Sequence, residues 1–128
     1  MQYLVGTDSV HTSAAACDYL EPRLADRDEV VAVAVVESGD DAERRDRQEA
    51  LNVFRVRLPA AAPETALRDG DAAAELLAAA DERDADELVV GPHRGDPDLD
   101  GAPGGTLVDL LADATRPVAV VPLASSSN

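Results

Sequence analysis

Apolar residues fall along this chain in short runs separated by stretches of helical periodicity. Tyr3-Leu4-Val5-Gly6 begins almost at the first residue and reads as a buried strand. It ends in Thr7-Asp8-Ser9, residue types that turn a chain and cap a helix. Residues 12–24 then place Ala16, Tyr19, Leu20 and Leu24 on one helical face. Pro22 should kink or shorten that helix, because it removes a backbone donor. Val30–Val36 is apolar at every position, not at alternate ones, which predicts a strand covered on both faces inside a parallel sheet.

Two patterns compete in the next segment. Ala50, Leu51, Phe54 and Leu58 follow a charged stretch at helical spacing, yet Phe54–Leu58 also alternates like a strand. Parallel strands need a crossover, and that favours a helix over 41–57. Pro59 and Pro63 break it, and Glu64–Arg68 reads as a short edge strand. After the turn Asp69-Gly70-Asp71, Ala73, Leu76, Leu77 and Ala80 sit at i, i+3, i+4 and i+7, an amphipathic helix that Asp84-Ala85-Asp86 closes. Glu87–Val90 is the next strand, a helix is expected over 106–114, and 117–122 is the last strand. Its flanking prolines suit an edge.

This alternation of strand and helix predicts an α/β fold: a doubly wound, five-stranded parallel sheet with helices on both faces and right-handed crossovers. In such sheets ligands lie beyond the carboxyl ends of the strands, where the strand order reverses. Asp8, the end of the second strand and the loop after Val90 would meet there. That loop runs from Gly91 to Thr106 and is rich in glycine. Between a strand and a helix, such a loop offers outward N–H groups and a helix N-terminus to a phosphate.

Length and composition narrow the classes. The 128 residues fit a single domain, placed at 1–123, with a disordered tail at 124–128. A chain of this size buries about two-thirds of its unfolded surface. No apolar run is long enough for a bilayer, and the start lacks the pattern of a signal peptide, so a soluble, cytoplasmic protein is expected. Cys17 is the single cysteine, which excludes an internal disulfide. The 26 carboxylates face 11 basic residues, all of them Arg. Such an excess looks like a protein of a high-salt cytoplasm, where salt screens self-repulsion and carboxylates hold water. Nothing forms a basic stripe, so nucleic acid is not an expected partner, and neither is a membrane.

Over nearly its whole length the chain resembles the universal stress protein family. Val5-Gly6-Thr7-Asp8 with Ser13, Ala34-Val35-Val36-Glu37, and Arg68-Asp69-Gly70-Asp71 before an alanine-rich helix carry the likeness. So do Ala85-Asp86-Glu87-Leu88-Val89-Val90-Gly91, Gly95 followed after nine residues by Gly105-Thr106, and Arg116-Pro117-Val118. The resemblance implies an adenine nucleotide alpha hydrolase-like fold with strand order 3-2-1-4-5. It also implies a stress-response role and ATP, with Mg2+, bound through G-x2-G-x9-G-[ST]. Carried over, Asp8 and Val35 would contact the adenosine part, while Gly91, Gly95, Gly105 and Thr106 would cradle ribose and phosphates. Members pair as dimers or tetramers through the last strand, 117–122 here. Three residues, not two, separate Gly91 from Gly95, Pro92 removes a donor, and Asp96, Asp98 and Asp100 bring negative charge to the loop.

Alternatives accompany these residues. Asp96-x-Asp98-x-Asp100-Gly101 resembles the start of a calcium loop, but Leu107 stands where the closing acid belongs. Thr106 with Asp109 could form a capping box, and Asp8 could cap the first helix instead of meeting a ligand. His93 and Arg94 could meet a phosphate or neutralise the nearby aspartates. His11 and Cys17 face different directions and have no triad partner; Cys17 reads as a small core residue. No serine occupies a nucleophile elbow, so no catalytic group is assigned. Three functions follow: a nucleotide-binding stress module, a dimeric protein of the same fold acting through partners without nucleotide, and an adenine-nucleotide hydrolase.

Overall fold

The computed structural model describes residues 1–92 and 105–122, with the side chain of Thr106 excepted. Among the described residues five parallel strands and four α-helices alternate: β1 (Gln2–Gly6), α1 (Val10–Leu20), β2 (Glu29–Val36), α2 (Asp41–Arg57), β3 (Glu64–Asp69), α3 (Ala72–Arg83), β4 (Glu87–Val90), α4 (Gly105–Asp113) and β5 (Val118–Val120). The sheet order is β3-β2-β1-β4-β5, so the winding reverses at β1.

The continuous apolar run of β2 is explained by two separate cores. Val30, Ala32 and Ala34 face Ala16, Cys17 and Leu20 of α1 and Leu51 and Phe54 of α2. Val31, Val33 and Val35 face the other way, against Ala73, Leu76 and Ala80 of α3 and Leu107 and Leu110 of α4. Successive side chains of a strand point to opposite faces, so a strand covered twice has no polar positions to offer. Burial of Cys17 raises its pKa to about 11, and the thiol is a core group, as expected.

Several boundaries differ from the expected ones, most of them by a single residue. The first helix spans Val10–Leu20, not 12–24; Glu21 is its C-cap and Pro22 lies outside it. Leu24 still packs on the core, from the turn, with its amide bonded to the Leu20 carbonyl. The final strand is Val118–Val120, flanked by hydrogen bonds that reach Pro117 and Val121, rather than a full 117–122. The last helix is Gly105–Asp113, so Thr106 lies inside it. By contrast, α2 occupies 41–57 as expected; Asp40 caps it, and Asp41 and Glu43 lie in the first turn, with Arg55 and Arg57 in the last. Among the described residues no helix is long and apolar enough to cross a membrane. The expected tail 124–128 lies outside the described residues.

One buried polar relay ties the first helix to the second. Thr7 Oγ1 and Ser13 Oγ are 2.6 Å apart, and Ser13 Oγ donates to the Ala50 carbonyl at 2.7 Å. Ser13 is fully buried, so deleting its hydroxyl removes both of these bonds from the core, although Thr7 Oγ1 keeps its bond to the Ser9 carbonyl. Ser13→Ala should cost about 1–3 kcal/mol in denaturant unfolding, with the m-value unchanged; a loss below a few tenths would show that the relay contributes nothing.

Candidate functional site

Beyond the carboxyl ends of β1, β2 and β4 lies an open cleft. Its floor is apolar: Val33 and Val35 from β2, Val90 from β4, Leu76 from α3, and Leu107 and Leu110 from α4. Its polar lining is Thr7, Asp8, Thr12, Glu37 and Arg47. A concave apolar pocket with a few converging polar groups is the usual form of a small-molecule site, and it stands at the reversal of strand order.

Gly6 sets the depth of this floor. A Cβ there would lie 2.7 Å from Leu76 Cδ1, so α3 approaches the end of β1 only because no side chain intervenes. Asp8 is held by the turn that follows: its Oδ1 accepts from the Thr12 hydroxyl at 3.0 Å. The cap of α1 is Ser9, whose Oγ accepts from the Thr12 amide at 3.1 Å. The capping role open to Asp8 therefore belongs to its neighbour, and Asp8 instead borders the cleft.

Of the six positions that the family resemblance assigns, Asp8, Val35 and Gly91 line one cleft. Gly105 opens α4, beside Leu107 in the cleft wall. Gly95, the side chain of Thr106, His93, Arg94 and the aspartates of the calcium-like segment all lie outside the described residues. Among the described residues no group of carboxylates, histidines and cysteines has metal-site geometry.

Three charged residues of this region escape a reading of the sequence. Arg47 reaches from α2 to the cleft and donates through Nε to the Val35 carbonyl (3.1 Å) and through Nη1 to the Asp8 carbonyl (2.8 Å). Glu43, one helical turn earlier, accepts from Arg47 Nη2 at 3.2 Å. It also fastens the turn after β2, accepting from the Ser38 hydroxyl (2.6 Å), the Ser38 amide (2.8 Å) and the Glu37 amide (3.2 Å). Glu37 reaches across to α3, where Oε2 accepts from the Ala72 amide at 3.2 Å. Only the i, i+4 spacing of Glu43 and Arg47 signals any of this in the sequence.

Residues 2–122 match the sequence model of the Universal stress protein family. The chain belongs to that family. No curated protein sequence matches it significantly. Among solved structures, the hypothetical protein MJ0577 aligns with a TM-score of 0.77 at 17% identity, covering 98% of this chain and 97% of that one. The universal stress protein from Archaeoglobus fulgidus in complex with dAMP gives 0.65 at 18% identity, over 94% and 97%. A universal stress protein family protein from Arabidopsis thaliana with AMP bound gives 0.70 at 16%, over 99% and 94%. At these identities the likeness is one of fold, and it agrees with the sheet order found here.

The Glu43 cluster has a pH signature. The Ser38 hydroxyl, then the Ser38 amide, hold its carboxyl at a pKa of about 2 rather than 4.5. A folded pKa below the unfolded one stabilises fully above pH 4.5, and that contribution disappears as pH falls towards 2. Glu43→Gln should therefore lower stability at neutral pH and flatten its decline between those values. An acid limb identical to wild type in urea titrations would refute this role.

Proposed function

We propose that this universal stress protein is a nucleotide-binding stress-response module that holds an adenine nucleotide in the cleft above β1, β2 and β4. The observation that carries the reading is the union of Asp8, Val35 and Gly91 in one apolar-floored cleft at the reversal of strand order. Base and ribose would occupy the floor between Val35, Leu76 and Asp8. Phosphates would extend past Gly91 towards the N-terminus of α4 at Gly105, whose amides and partial positive charge suit an anion. The dAMP and AMP complexes of relatives with this fold support an adenine nucleotide. ATP is the specific ligand proposed, with Mg2+ to offset the aspartates at 96, 98 and 100.

Two features favour a second reading, in which the same fold works through protein partners without nucleotide. The spacing from Gly91 to Gly95 is one residue longer than the family's motif, and Pro92 within it lacks an amide donor. Calorimetric titration with ATP and Mg2+ at multimolar KCl separates the two. The first reading expects a heat of binding and, at 100 times Kd, about 2.7 kcal/mol of added stability. It also expects Gly105→Val to abolish both without unfolding the protein. No heat and no thermal shift would leave the second reading standing.

The partner we propose is a second copy, paired through the edge strand around 117–122. β5 ends the sheet, and Val120, Val108 and Leu111 are large apolar residues left exposed. Sedimentation at multimolar KCl should give a dimer, and Val120→Asp a monomer. A monomeric wild type would overturn that pairing.

A further inference from the structure

Strand β2 continues past the end of β1. Their ladder closes where the Thr7 amide donates to the Val33 carbonyl at 3.0 Å, and the chain then turns through Asp8 and Ser9 into α1. Bonds in a parallel ladder are evenly spaced, so the next rung would join the Ser9 amide to the Val35 carbonyl. Ser9 has instead left the sheet to cap α1. The Val35 carbonyl receives Arg47 Nε instead, while Nη1 of the same guanidinium reaches the Asp8 carbonyl. One planar group thus spans the gap where the two strands part, and its side chain is only 14% exposed.

Fork geometry explains why this task falls to arginine. Nε and Nη1 point along fixed, diverging directions, so two carbonyls held by them are held at a set separation. Nη2 goes to Glu43, which is itself pinned to the turn at Ser38. The anchor is therefore rigid at both ends, unlike an exposed pair such as Arg44 with Asp69.

We propose that Arg47 is the positioning residue of the cleft: its guanidinium supplies the rung that β1 lacks and fixes the Asp8 turn relative to the end of β2. The consequence for ligand affinity rests on the nucleotide reading above; the consequence for the turn does not. Loss of the rung should let the Asp8 turn and the segment after Val35 separate, widening the end of the cleft proposed for the base.

The test combines amide hydrogen exchange of the ligand-free protein with AMP titration, for wild type, Arg47→Met, Arg47→Lys and Arg44→Met. Arg47→Met should speed exchange about tenfold or more at residues 7–9 and 36–38, with β4 unchanged, and should raise the AMP Kd about tenfold. Arg47→Lys should recover only a small part of either, since one ammonium cannot hold both carbonyls in place. Arg44→Met should match wild type. Wild-type exchange at 7–9 and 36–38 in Arg47→Met would overturn the proposal, as would full rescue by Lys. Should Arg47→Met loosen β4 equally, Arg47→Lys decides: loosening confined to the two segments supports the role, and uniform loosening in both variants overturns it. If wild type binds no AMP, the nucleotide reading fails while the exchange data still decide the positioning role. If it binds AMP and Arg47→Met binds as tightly with its turn loosened, the effect on the ligand is refuted.

Discussion

A mismatch in strand length governs this molecule's carboxyl edge. β1 leaves the sheet after Thr7, whereas β2 runs on to Val36, and β4 stops at Val90 on the other side. The strand at which the winding reverses thus stops short of β2, level with the end of β4, and the cleft opens beyond it. Buried backbone groups must find partners, so each carbonyl exposed by the early exit of β1 has to be met by something. Arg47 meets two of them, and the Thr7–Ser13–Ala50 relay secures the same corner from within the core. The cleft is a by-product of where β1 stops, and these polar contacts keep it the same shape.

Much of the fold is legible from pattern alone. Seven consecutive apolar residues at Val30–Val36 can be satisfied only by helices on both faces, and the two cores found on either side of β2 are the result. The helix at 41–57 follows from a topological need, because a parallel neighbour cannot be reached by a short turn. The end of the first helix is misjudged for a reason that is also local. Leu24 keeps helical spacing and reaches the core, but it does so from a turn after the helix has ended at Leu20.

The site is legible only in part. Asp8, Val35 and Gly91 are adjacent to strand ends, and strand ends can be read from apolar runs. Asp8 and Ser9 are both capping residue types, and nothing in their order says that Ser9 takes the Thr12 amide while Asp8 takes its hydroxyl. Arg47, Glu43 and Glu37 are hidden more deeply. In a chain with 26 carboxylates and 11 arginines, a charged residue in a charged helix reads as solvated surface. The roles of Arg47 and Glu37 depend on backbone groups far away in sequence, the Asp8 carbonyl and the Ala72 amide, and Glu43 acts on the turn just before its helix. A gain of three backbone or side-chain partners in space leaves no trace in local periodicity.

Where a nucleotide sits decides the function of the cleft. A crystal structure of the protein grown with AMP at high salt tests this directly. It should place the base over Val33 and Val35, beside Asp8 and Leu76, with the phosphate directed to Gly105 and the Arg47 guanidinium still bridging the carbonyls of Asp8 and Val35. AMP bound away from the ends of β1 and β2, or a cleft that stays empty at saturating nucleotide, would contradict it.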